Sequence, residues 1–202
     1  MRYRKRLFIL YIFILLVSAA KAQMRIGVSG GGGLDGTVSI RAAIPIEIPI
    51  NKALSIQSGV VFQKRHNPQL LPGLGYEHDY RQPTIAYLGI PVLLKARLDM
   101  HSFWAYVLTG PQVDYGLSFS ATYFEDGFFG YEKLDFETFQ VARLDFGMNI
   151  GAGFEKEISN NCKIFAELLL TFNFRDIDKS ATYEVFNESR IFNLGFLLPL
   201  HR

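Results

Sequence analysis

Residues 141–155 read VARLDFGMNIGAGFE, and their alternation decides the fold. Taken two by two, Leu144, Phe146, Met148, Ile150, Ala152 and Phe154 form one row. Arg143, Asp145, Gly147, Asn149, Gly151, Gly153 and Glu155 form the other. A strand sends alternate side chains to opposite faces, so one face here is continuously apolar and the other polar, charged or bare. The run is long enough to cross a membrane as a strand, which takes about 9–11 residues. It predicts an outer-membrane β-barrel with the apolar row towards lipid and the polar row towards the lumen.

The same alternation recurs along the chain. It predicts strands over 24–29, 38–50, 53–65, 84–98, 103–119, 141–155, 163–175 and 190–200. In the fifth of these, Val107, Val113, Tyr115, Leu117 and Phe119 are expected to face outward, and Trp104, Tyr106, Gln112, Asp114 and Ser118 inward. Pro45 and Pro49 share one face of the second strand, and each removes a ladder donor, which predicts a bend or bulge near that end. Gly30 to Gly33 with Leu34-Asp35-Gly36 reads as a loop; the spacing of a phosphate-binding glycine loop is lacking.

Connections after the second, fourth and sixth strands are short, and those after the first, third, fifth and seventh are longer. Bacterial barrels have short periplasmic turns and longer extracellular loops. The fold class expected is all-β, an eight-stranded antiparallel up-and-down transmembrane barrel with both termini in the periplasm.

The inner row carries Arg41, Glu47, Arg65, Lys95, Asp114, Arg143, Asp145, Asn149, Glu155, Glu167 and Arg175. A soluble lipocalin-like barrel has the opposite polarity, with an apolar cavity, and so many charges inside one would cost heavily in desolvation. Within a narrow barrel they can pair with one another. Side chains roughly fill the lumen of an eight-stranded barrel, so these residues are expected to form a polar packing network rather than line an open pore. Aromatic residues near strand ends, Phe62, Tyr87, Trp104, Tyr115, Phe119, Tyr123, Phe124, Phe172, Phe174 and Phe192, are expected to form interfacial girdles, although strand propensity also favours them.

Charge and leader follow from the first residues. MRYRKR is a positive segment, 7–17 an apolar one, and Ala20-Lys21-Ala22 a small-x-small cleavage site, so 1–22 reads as a signal peptide and 23–202 as the barrel domain. The whole chain has 21 basic and 19 acidic side chains. Without Arg2, Arg4, Lys5, Arg6 and Lys21 the basic count is 16, a net charge near −3, which argues against a nucleic-acid partner. Cys162 is the sole cysteine, which excludes an intrachain disulfide. Metal-ligand spacings, nucleotide motifs and cofactor boxes are lacking, and no catalytic, metal or cofactor residue is assigned.

Three stretches carry a resemblance. Tyr87-Leu88-Gly89-Ile90-Pro91-Val92-Leu93-Leu94-Lys95, Thr109-Gly110-Pro111 and Asp145-Phe146-Gly147-Met148-Asn149-Ile150-Gly151-Ala152-Gly153-Phe154-Glu155 resemble, in this order, the PorT-like outer-membrane β-barrel proteins of Bacteroidetes. The resemblance covers most of the mature chain and implies an eight-stranded barrel in the outer membrane. Some members of that family are linked to secretion or gliding machinery, and no catalytic residues come with it. The chain departs from many outer-membrane barrels by ending Leu200-His201-Arg202 rather than in an aromatic residue, which shifts recognition by the barrel-assembly machinery towards Phe196 or other strand features.

The functional expectation is a non-enzymatic structural or interaction barrel embedded in outer-membrane lipid, with loops 66–80, 121–138 and 176–189 facing protein partners. A small solute pore along the inner row is the alternative. A lipid-modifying enzyme is the third reading, resting on His78 between Glu77 and Asp79. No serine stands near it in a recognisable arrangement, and a solvated loop histidine is the simpler account.

Overall fold

The computed structural model describes residues 24–34, 40–67, 79–125, 128–159, 162–177 and 188–200. The leader, Val38, His78, His201 and the greater part of loops 66–80 and 176–189 lie outside them. Nine strands are described: β1 (Arg25–Gly33), β2 (Ile40–Pro49), β3 (Leu54–His66), β4 (Asp79–Asp99), β5 (Trp104–Glu125), β6 (Phe128–Leu134), β7 (Leu144–Ser159), β8 (Cys162–Asn173) and β9 (Glu188–Pro199). Eight of them close into a ring of antiparallel neighbours in the order β4, β3, β2, β1, β9, β8, β7, β5, with β5 pairing back to β4. The ninth, β6, pairs only with the far end of β5. Among the described residues no helix is long and apolar enough to cross a membrane.

The ladder registers fix the shape of the ring. From Trp104 on β5, opposed residues lead through Glu155, Phe165, Gly195, Ser29, Ala43, Val61 and Gly89 back to β5 at Asp114. One circuit therefore climbs ten residues, from 104 to 114. At about 3.3 Å per residue and about 4.8 Å between strands, a stagger of ten over eight strands tilts them by about 40°. Leu144 to Phe154 then spans about 25 Å along the barrel axis, the height of an outer-membrane apolar belt.

Side-chain polarity follows the alternation. Phe146, Ile150, Leu168 and Phe196 are 43, 50, 42 and 40% exposed on the outer face, whereas Asp145, Asn149 and Glu155 are buried inside. Short turns join β2 to β3 and β4 to β5, where Asn51 accepts hydrogen bonds from the Ala53 and Leu54 amides and His101 adopts φ 68°. The chain enters β1 and leaves β9 at this same end, which we call the short-turn end.

Prolines are absorbed where ladders break. Pro45 lies opposite Gly59, which has φ 145° and no room for a Cβ beside the Ile44 carbonyl. The β1–β2 ladder skips Gly27 and Val28 at the same level.

Several expectations need correction. The glycine run 30–33 belongs to β1, with Gly30 to Gly32 paired on both sides and Gly33 to β9, so it is strand rather than loop. β4 begins at Asp79 rather than residue 84, and β5 continues to Glu125. Two thirds of the loop expected over 121–138 is therefore strand, in β5 and β6. β7 begins at Leu144, not at residue 141, because Val141 turns into an apolar cluster at the barrel mouth. Phe119 is fully buried rather than outward: a register shift opposite Ala86 and Tyr87 adds a residue to β5 at Leu117, and an extra residue reverses the parity beyond it. Tyr87, expected in a girdle, is also fully buried.

Candidate functional site: the barrel lumen

The inward row organises into three zones. At the short-turn end is an ion cluster. Glu47 of β2 receives Lys95 (3.2 Å) and Arg97 (2.6 Å) of β4, with Arg25 of β1 at 3.6 Å. Glu155 of β7 receives Lys95, Arg97 Nε (2.8 Å) and Lys163 of β8 (2.8 Å). In the ring order β2 and β7 stand four strands apart, on opposite walls, so the ion pairs of β4 cross the whole bore. The Lys95 ammonium also lies over the Tyr106 ring, 3.8 Å from its centroid. Each buried charge of this cluster keeps an opposite charge in contact, which burial in so narrow a space requires.

Apolar side chains come next: Leu93, Leu108, Phe165, Leu169 and Leu197 pack with Tyr106. Beyond and between them is a second polar network. Asp114 accepts from Arg65 (2.7 Å), Gln63 (3.2 Å) and Gln112 (2.6 Å), and Asp145 lies 3.8 Å from Arg65. Asn149 donates to Gln112 (2.9 Å) and accepts from Thr171 (2.7 Å). Glu167 accepts from the Tyr106 hydroxyl (3.0 Å) and from Asn193 (3.2 Å), and Arg41 reaches Gln63 at 3.5 Å.

Glycines of the inner row make the space. A Cβ at Gly153 would lie 2.7 Å from the Tyr106 ring, and one at Gly89 would lie 2.1 Å from the Asp114 carboxylate.

The long-connection end is closed by residues 135–142. Phe136, Phe139 and Val141 pack with Ile85, Tyr87, Phe119, Ala121, Leu134 and Ile177 in one buried apolar plug. Asp135 shapes its turn by accepting from the Glu137 and Thr138 amides at 2.9 and 2.8 Å and the Thr138 hydroxyl at 3.1 Å. The Ala142 amide donates to the Ile177 carbonyl at 2.8 Å, which ties the plug to the chain leaving β8.

Of the residues assigned to the lumen, Arg41, Glu47, Arg65, Lys95, Asp114, Asp145, Asn149, Glu155 and Glu167 lie buried inside the barrel. Arg143 and Arg175 do not join them. Arg143 precedes β7 and is exposed, with its guanidinium over the Phe136 ring at 4.9 Å. Arg175 follows β8 and donates to the Leu144 carbonyl at 2.9 Å at the rim. The parity of both is right, but they stand one or two residues outside their strands. Arg97, Lys163, Gln63, Gln112, Thr171 and Asn193 join the same networks; all share the inward parity, and Arg97 and Lys163 add charges that the expected inner row lacks. Among the described residues no cluster of three or more His, Cys, Asp or Glu could hold a metal ion.

A model of the outer membrane protein beta-barrel domain matches residues 22–179, which is most of the chain. The chain belongs to that family. Its place is accordingly the bacterial outer membrane. Among solved structures, the family member is similar in fold to Neisserial surface protein A (10% identity, 88% of this chain and 96% of that one, TM-score 0.48). It is similar also to Ail, the attachment invasion locus protein of Yersinia pestis (13%, 87% and 95%, 0.43), and to the outer membrane enzyme PagL (12%, 87% and 99%, 0.48). Among curated proteins none matches its sequence.

Proposed function

We propose that this barrel is a non-conducting, non-enzymatic outer-membrane protein that presents its long-connection end to a partner outside the cell. The observation that carries the reading is the crossing of the bore by Lys95 and Arg97, which join Glu47 and Glu155 on opposite walls, with a second closure by the plug of Phe136 and Phe139. A passage for solute would need both closures to part. What is left for contact is the long-connection end, with the β5–β6 strands, residues 135–142 and the connections over 66–80 and 176–189.

The stretches resembling PorT-like proteins of Bacteroidetes support reading the partner as a component of secretion or gliding machinery. On this reading the first 22 residues are a cleaved signal peptide, the barrel-assembly machinery inserts the mature chain, and the longer connections face outward.

Reconstitution into planar bilayers tests the closed bore: the account expects silent membranes at moderate voltage, and steady single-channel steps from the intact protein would overturn it. Crosslinking in intact membranes tests the partner. Replacing residues 123–131 by a tight turn should keep the heat-modifiable folded form while removing crosslinked species. Crosslinks unchanged by that replacement and by shortening the other two loops would refute a partner at this end.

A further inference from the structure

Beyond the barrel wall, β5 continues between β6 and the first residues of β4, with Asp79 opposite Phe124 and Arg81 opposite Thr122, as a three-stranded ribbon with two unlike faces. One face turns inward, where Phe119 and Leu134 join the plug and the Tyr123 ring covers Gly130. The other carries three rungs: Lys133 opposite Ser120, Tyr131 opposite Thr122, and Phe129 opposite Phe124. Phe129 and Tyr131 are 74 and 72% exposed, among the most exposed large apolar side chains of the protein.

Their height decides what they meet. Leu117 is the last residue of the bilayer-facing row on β5. At about 2.5 Å of axial rise per tilted residue, the Lys133 rung stands about 8 Å above it, the Tyr131 rung about 13 Å and the Phe129 rung about 18 Å. The polar layer of a phospholipid leaflet is about 5–8 Å deep beyond the hydrocarbon, so it reaches Lys133 and stops short of the two aromatic rings. These rings are therefore no interfacial girdle. Yet they face sideways, along the membrane plane, in the direction in which Leu117 and Tyr115 face acyl chains. What stands sideways of a barrel at that height is the headgroup of a neighbouring outer-leaflet lipid, provided that headgroup is tall.

We propose that the outward face of this ribbon binds a phosphorylated glycolipid of the outer leaflet, with phosphate on Lys133 and sugar rings against Tyr131 and Phe129. An ammonium is a point donor to phosphate, and the negative face of an aromatic ring attracts the polarised C–H groups of a pyranose. The acyl chains of the same molecule continue onto Leu117 and Tyr115, so the site extends the bilayer contact the barrel already makes. The inference rests on the long-connection end facing outward, as proposed above.

The test uses the full-length barrel folded in detergent and incubated with a bisphosphorylated, acylated glucosamine disaccharide, followed by native mass spectrometry of the retained lipid. Lys133→Glu combined with Phe129→Ser and Tyr131→Ser should lower retention about tenfold or more, with the heat-modifiable fold kept. Removing the phosphates from the glycolipid should act in the same direction. Equal retention by the variant, or equal retention of phosphatidylglycerol by the wild type, overturns the site. A variant that keeps the glycolipid but loses crosslinks to a membrane protein overturns it in favour of a protein contact. Phe128→Cys in a Cys162→Ser background, labelled on intact cells by a membrane-impermeant maleimide, separates the two readings. Labelling without glycolipid retention refutes this site alone, whereas absence of labelling refutes the outward orientation and the site with it.

Discussion

Glu47 and Glu155 stand on opposite walls of the barrel and share one ammonium, that of Lys95. The arrangement makes Lys95 a strut across the bore as well as a counter-charge. It is 1% exposed and held over the Tyr106 ring.

Lys95→Met therefore leaves two buried carboxylates with fewer cations than they need. Breaking a buried pair from one side costs about 3–5 kcal/mol, and Arg97 offsets part of this, so the expected loss lies at the lower end of that range. Urea unfolding in lipid vesicles reads it as a lower midpoint. Glu155→Gln in the Lys95→Met background should cost much less than it does alone, because the charge it removes no longer has its partner. Additive losses would show that the two side chains do not act together.

Gly153 is required by Tyr106. A side chain there would meet the Ala166 carbonyl at 2.4 Å and the Tyr106 ring at 2.7 Å. Gly153→Val should cost about 1–3 kcal/mol by overpacking, whereas Ala152→Val, one residue away on the bilayer face, should be nearly neutral. Equal effects at both positions would contradict the assignment of faces.

The outward row has its own test. Ile150 is half exposed and near the middle of the apolar belt. Ile150→Arg should cost about 2–4 kcal/mol of folding free energy in vesicles, falling to about 0–1 kcal/mol for Leu144→Arg near the belt's edge. A flat profile between the two sites would mean that lipid does not cover this face.

How much of this was legible in the sequence depends on contrast. Strand β7 alternates Phe146, Ile150 and Phe154 with Asp145, Asn149 and Glu155, so lipid on one side and a polar bore on the other leave a plain mark. Leu117 and Phe119 carry no such contrast. Both are apolar, and the added residue that reverses parity between them left no sign in composition, because lipid and plug accept the same side chains. The ribbon of β5 and β6 escaped for a related reason: above the membrane neither face needs to be oily, and an aromatic, charged stretch reads as loop. Arg143 and Arg175 were placed inside by counting in twos past the strand ends. What the count cannot see is where the wall stops.

The turn of the plug responds to pH through Asp135. Hydrogen bonds from the Thr138 amide and hydroxyl and from the Glu137 amide favour the carboxylate, so its pKa is lowered from the ordinary value. A depressed folded pKa means a contribution that is complete above the unfolded value, near 3.9, and lost as pH falls through the folded one. The Glu137 and Thr138 amide resonances should titrate together with a midpoint under 3.9, and Asp135→Asn should abolish the titration. A midpoint at or above the ordinary value would deny the turn its anchor.

The account depends most on which way each row looks, and a nitroxide scan reads that directly. Single cysteines at successive positions from 144 to 154, in a Cys162→Ser background, are spin-labelled in lipid vesicles and their collision rates with oxygen measured. The account predicts a two-residue oscillation, high at Phe146, Met148, Ile150 and Ala152 and low at Gly147, Asn149 and Gly151. A flat profile, or one with its maxima at Gly147, Asn149 and Gly151, would contradict it.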